Sequence, residues 1–94
     1  MVWSPHANRE YERLLDYLIT EFGSNTAIKF DRHVEEVLEL ISQHPQMYPQ
    51  SEIKSNVHRC VLHQNTSLYY RIKNDKIELV SIWANKRNPK DLKL

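Results

Sequence analysis

A single cysteine and a single glycine stand among the 94 residues of this chain, and no apolar run comes near the length of a membrane span. Each scarcity excludes something. With Cys60 alone there is no internal disulfide, and the chain fits a reducing compartment. A helix that crosses a bilayer needs about 20 consecutive apolar residues, and none are present. The opening "MVWSPHANRE" lacks the apolar core of a secretory signal. A cytoplasmic location with no membrane partner is therefore expected. Glycine takes a left-handed backbone at little cost, so with Gly23 alone the other reversals must be made from less permissive residues. There are no internal repeats and no low-complexity segments.

What is present has a globular balance. Hydrophobic residues make up 40% and charged residues 27%, which places residues 1–94 in one small domain with one core. The net charge of +1 hides an asymmetry. Residues 1–52 hold four Lys/Arg against nine Asp/Glu, a balance of −5, and residues 53–94 hold nine against three, a balance of +6. A basic half of this kind meets phosphates or acidic proteins.

The periodicity changes once along the chain. Ser4 is placed to cap a helix with Pro5 in its first position, and Ala7, Tyr11, Leu14, Leu15, Leu18, Ile19 and Phe22 recur at helical spacing up to Gly23. Ser24 and Asn25 are expected to cap a second helix, with Ala27, Phe30, Val34, Val37, Leu38 and Ile41 on its apolar face. That helix should stop near His44, before Pro45. The charged residues of both helices, Glu10 and Asp31 among them, are expected on solvated faces. After the loop "HPQMYPQSE" the period falls to 2, and the segments 57–63, 67–73 and 77–84 read as strands joined at "QNT" and "ND". "VW" at positions 2 and 3 reads as a short edge strand, open to pairing with another chain. The expected architecture is α+β: an N-terminal helical hairpin packed on a three- to four-stranded antiparallel β-sheet. A basic tail follows from residue 85 to 94.

Four features in this order carry a family likeness: the opening Trp3-Ser4-Pro5-His6-Ala7, a Leu40-Ile41 pair followed by the helix-ending Pro45, the strand "LYYRI", and Lys86-Arg87 after the last strand. In this the chain resembles the RelE/ParE superfamily, the toxins of bacterial toxin–antitoxin modules also described as plasmid stabilisation proteins. The resemblance covers essentially the whole chain. It implies a cognate antitoxin partner and one of two modes of growth inhibition. The ParE-like branch binds DNA gyrase; the RelE-like branch is a ribosome-dependent, metal-independent endoribonuclease acting on messenger RNA.

RelE-like members are expected to supply cations from four positions. Laid on this chain, the last of these falls on Arg87, the strand-start arginine falls on Ser67, and the two lysines fall near His58 and Cys60. The weak catalytic candidates are therefore Arg87, Arg59, Lys54 and His58, with Arg71 able to substitute in part. Cleavage needs a base for the 2′-hydroxyl and cations for the phosphate. His58 and Arg59, as neighbours on a strand, point to opposite faces. Cys60 reads as a buried structural thiol. With only His58 two residues away it makes no zinc site, and no cofactor is expected. Tyr70 and Trp83 read as core residues. Tyr69 and Arg71 are expected to form an exposed stripe that, with Lys86, Arg87 and Lys90, grips an acidic antitoxin segment or the target. The leading expectation is a ParE-like toxin that acts by binding. The alternatives are a RelE-like messenger-RNA endoribonuclease and a degenerate, non-toxic member kept as a binding module.

Overall fold

The computed structural model of the chain describes residues 1–63 and 66–84. The elements run β1 (Val2–Trp3), α1 (Pro5–Phe22), α2 (Ser24–Gln43), β2 (His58–His63), β3 (Thr66–Lys73) and β4 (Lys76–Ala84). Ser4 has an extended backbone, and its hydroxyl accepts the N–H of Ala7 at 3.0 Å, so α1 begins as its sequence dictates. At the other end the N–H of Gly23 donates to the carbonyl of Ile19.

The link between the helices is one residue long. Gly23, at φ 94°, ends α1 and starts α2, and Ser24 is already helical. Ser24 and Asn25 therefore do not cap α2, which begins with no side-chain cap. A Cβ on Gly23 would meet nothing within 4 Å, so the left-handed dihedral, and not space, calls for glycine. α2 closes on His44, whose N–H donates to the carbonyl of Leu40, just before Pro45. Among the described residues no helix is long and apolar enough to cross a membrane.

The strands form one sheet in the order β1-β4-β3-β2. β2, β3 and β4 are antiparallel, while β1 runs parallel to β4, with Val2 opposite Glu78 and Trp3 opposite Leu79. The sheet is thus mixed and not purely antiparallel. Period-2 patterning reports which face a side chain takes and carries no information on the direction of a two-residue strand. The Asn74-Asp75 hairpin has φ 52° and 63°, both left-handed as a type I′ turn requires. Gln64 and Asn65 of the other turn lie outside the described residues, and Thr66 belongs to β3.

The helices cover one face of the sheet. Tyr11, Val34, Val37 and Ile41 pack there on Cys60, Leu62, Leu68, Tyr70, Ile77, Leu79 and Ile82. On β4 these positions step from Ile77 and Leu79 to Ile82, an odd-to-even change that simple alternation does not give. A β-bulge explains it: Tyr69 pairs with Ser81 and Tyr70 with Leu79, leaving Val80 as the extra residue. A second cluster, Val57, Tyr69 and Trp83, lies apart from this core.

Two acidic residues assigned to solvated helix faces are engaged inward. Asp31 accepts the hydroxyl of Tyr11 at 2.5 Å, and Trp3 stacks on the Tyr11 ring. The Glu10 side chain is only 8% exposed. Its carboxylate accepts the Ser81 hydroxyl at 2.7 Å and the Ile82 N–H at 3.3 Å, with His6 Nε2 at 3.2 Å. These bonds join α1 to β4 beyond the point where β1 ends.

The left-handed turn yields a stability prediction. Asp75→Gly should raise the unfolding free energy by a few tenths to about 1 kcal/mol, because glycine carries no steric penalty at φ 63°. Asp75→Val should lower it, as read by urea denaturation.

Candidate functional site

The sheet face turned away from the helical core carries the cations singled out above. Alternation along β2 sends Arg59, Val61 and His63 outward, all three exposed, and buries His58, Cys60 and Leu62 on the helix side. Arg59 pairs with Tyr69 and Val61 with Ser67, so the outward side chains of β2 adjoin those of β3. Arg59 Nε donates to Ser67 Oγ at 3.2 Å, which fixes the guanidinium plane over the strand. One step along β3, Arg71 meets Glu78 of β4 at 2.6 Å, both side chains about a third exposed. An ion pair in such a position contributes at most about 1 kcal/mol and serves mainly to orient Arg71.

The expected stripe is altered at its centre. Tyr69 is 4% exposed and packs with Val57 and Trp83, so it is not a solvent-facing partner of Arg71. Its burial comes from the segment before β2, which carries Val57 onto the same side as Tyr69 and Trp83. Ser67, at the position of the nuclease-branch arginine, is fully buried. Lys54 is exposed on that segment, and its carbonyl accepts the N–H of Val57. Lys86, Arg87 and Lys90 lie outside the described residues.

His58 belongs to a different environment. It is 6% exposed, its ring stacks on Tyr70 at 5.0 Å between centroids, and Nδ1 lies 2.7 Å from the Tyr48 carbonyl. A carbonyl only accepts, so the proton sits on Nδ1. The Tyr70 hydroxyl donates to the carbonyl of Pro45 at 2.8 Å, and the Arg59 N–H donates to that of Pro49 at 2.9 Å. Gln50 bridges to His58. These contacts stitch the proline-rich loop to β2 and β3. His58 therefore holds a loop on the helix side, while Arg59 stands on the opposite side of the sheet. The structure does not bring the two together.

Burial shapes the titration of this cluster. It raises the Cys60 thiol above its ordinary 9.0, partly offset by Tyr48, and raises Tyr48 as well. Tyr70 is pushed up to about 12 for the same reason. A thiol 1% exposed and held protonated is a packing group and not a nucleophile. Among the described residues no group of three or more His, Cys, Asp or Glu is placed to hold a metal ion.

Two engaged residues lacked a role in the sequence reading. Glu10 sits on a polar helix face like its neighbours, and nothing local marks it. Ser81 did carry a signal: a hydroxyl inside the apolar run "ELVSIWA" needs a partner if that strand is central.

One comparison with known proteins gives a family and another gives the fold. Residues 1–89 match the family described as the ParE toxin of type II toxin–antitoxin systems, parDE. None of the curated proteins matches the chain by sequence. Among solved structures, a chain of the chromosomal ParDE toxin–antitoxin system from P. aeruginosa is similar at a TM-score of 0.76 and 19% identity, over 88% of this chain and 91% of that one. The YoeB–YefM complex from Staphylococcus aureus gives 0.64 and 14%, over 88% and 93%. The YoeB dimer from the same organism gives 0.62 and 15%, over 87% and 91%. At these identities the likeness is one of fold.

Two predictions follow from the packing. Ser67→Arg, which restores the nuclease-branch residue type, should lower stability by about 1–3 kcal/mol in urea denaturation, because the site has no room for it. Stability should also fall as pH rises above about 9. Below that, the thiol and phenols are neutral in both states. Above their unfolded values, the unfolded chain gives up protons that the folded chain retains, which favours unfolding. Cys60→Ala should remove the earliest part of that alkaline loss in a pH series of melting curves.

Proposed function

This chain belongs to the ParE toxin family of type II toxin–antitoxin systems, and on that premise we propose that it arrests growth by binding a macromolecular target, DNA gyrase, and not by cutting RNA. The observation that carries this reading is the chemistry at the positions corresponding to the RNA-cleaving branch. Ser67 there is fully buried, and His58 and Cys60 are 6% and 1% exposed on the helix side. None supplies a cation to a phosphate. Arg59 and the less exposed Arg71 are the oriented guanidinium groups among the described candidates, and neither can serve as the base that the 2′-hydroxyl needs.

The same face suits an antitoxin. Arg59 and Arg71 are spread along β2 and β3, and the sequence continues into Lys86, Arg87 and Lys90. An extended acidic segment would find complementary charge and planar donors along this line. Two of the similar structures, ParDE and YoeB–YefM, are toxin–antitoxin systems, which supports a protein antitoxin as the partner. The YoeB dimer supports self-association as a further assembly.

The test is brief expression in a bacterial host, with primer extension on several messenger RNAs and supercoiling measured on plasmid DNA from the same cells. Relaxed or broken plasmid with intact messages is expected. Arg87→Ala should weaken toxicity at most partially, since contacts are spread over an interface. Cleavage inside codons with normal supercoiling, abolished by Arg87→Ala, would establish the ribonuclease instead.

A further inference from the structure

The apolar stripe of α1 does not end where the core ends. Ala7 and Tyr11 are its buried members, and Leu14 and Leu15 pack against the core, but Phe22 on the same side of the helix is 62% exposed. At 100° per residue, Leu18, Phe22 and Ile19 form a continuous apolar arc of about 100°, and Tyr17 extends it beyond Glu21. A helix that only covers a sheet needs an apolar stripe of about 100°. The core does not cover this end: Tyr17 is 55% and Ile19 46% exposed, and Ile28 at the start of α2 is 55% exposed. Tyr17 and Phe22 meet edge to face at 6.2 Å, so the tip is an ordered surface. Four large apolar side chains left open at one end of a hairpin form a patch of the kind that marks a contact surface.

The charges around this tip indicate what covers it. The last turns of α1 carry Asp16 and Glu21, and the first turns of α2 carry Lys29 and Arg32. All four are exposed, and none makes an ion pair within the described residues. With Asp31 taken up by the Tyr11 hydroxyl, the acids left without an ion pair on one helix and the bases so left on its antiparallel neighbour make a self-complementary pattern. A twofold axis through the tip sets the acids of one copy against the bases of the other. A target carrying one sign of charge would match only half of it.

We propose that the tip of the α1–α2 hairpin is a homodimer interface in which Phe22, Tyr17 and Ile28 pack against a second copy of the chain, framed by Glu21–Lys29 and Asp16–Arg32 pairs between copies. This rests on self-association and is independent of the target of the toxin. It leaves the sheet face with Arg59 and Arg71 open in both copies.

Sedimentation equilibrium of the purified chain over a hundredfold concentration range tests it. A monomer–dimer equilibrium is expected. Phe22→Glu should weaken it at least tenfold with no loss of folding cooperativity, since the side chain is exposed. Glu21→Lys or Lys29→Glu alone should weaken it, and the double exchange should recover most of the loss. Val2→Asp, at the exposed β1 edge, should change nothing. A wild-type chain that stays monomeric overturns self-association altogether. A dimer indifferent to Phe22→Glu but broken by Val2→Asp places the contact on the sheet edge and overturns the hairpin interface alone. A monomer whose Phe22 becomes protected only when antitoxin is added assigns the tip to the antitoxin and overturns the proposal.

Discussion

A central strand with too short a neighbour sets the main constraint on this fold. β4 lies inside the sheet, yet β1 pairs with it only at Glu78 and Leu79. Beyond that, the outer edge of β4 would present unpaired backbone groups to the protein interior, each costing a few kcal/mol if left unmet. The start of α1 meets them in sequence. The N–H of Ser4 donates to the carbonyl of Leu79, its hydroxyl donates to that of Val80, and Glu10 accepts from Ser81 and Ile82. The helix therefore substitutes for the missing length of strand, and its position over the sheet is fixed by hydrogen bonds before any apolar contact is counted.

The β4 bulge follows from the same stretch. Inserting Val80 shifts the side-chain phase of the strand by one, so that Leu79 and Ile82 both face the helices and Trp83 is left on the far side. Trp83 then gathers Tyr69 and Val57 into a second small cluster. That cluster buries the far face at its centre and leaves Arg59 and Arg71 at its margins, each oriented by a single neighbour. The site is thus a by-product of how an edge was closed on the opposite side of the sheet.

Much of this was legible in the sequence. Periods of 3.6 and then 2, the Ser4-Pro5 start, the stop before Pro45 and the inward face of β2 all follow from local pattern, because each is decided within a few residues. So were the buried Cys60, Tyr70 and Trp83. What escaped involves distant partners. The burial of Tyr69 depends on Val57 folding over it, and the burial of Glu10 depends on Ser81, 71 positions away. The parallel direction of β1 depends on a strand at the other end of the chain. Alternation also located His58 and Arg59 on opposite faces, but the stacking of His58 on Tyr70 and its bond to the Tyr48 carbonyl required knowing where the proline-rich loop returns. The capping of α2 was misjudged for a local reason: Gly23 alone makes the turn between the helices, so Ser24 and Asn25 are already helical.

The parallel pairing of β1 with β4 has a consequence in time. The bond between Ser4 and Val80 spans 76 positions, and β4 is the last strand made among the described residues. Two helices and a three-stranded meander can assemble from near neighbours, but the first residues of the chain have no place to go until its final strand exists. A growing chain therefore cannot close its sheet during most of its synthesis. The surface that a target or an antitoxin would recognise comes into being late and all at once, so a prematurely truncated product ending before β4 is an open sheet and not a smaller version of the same molecule.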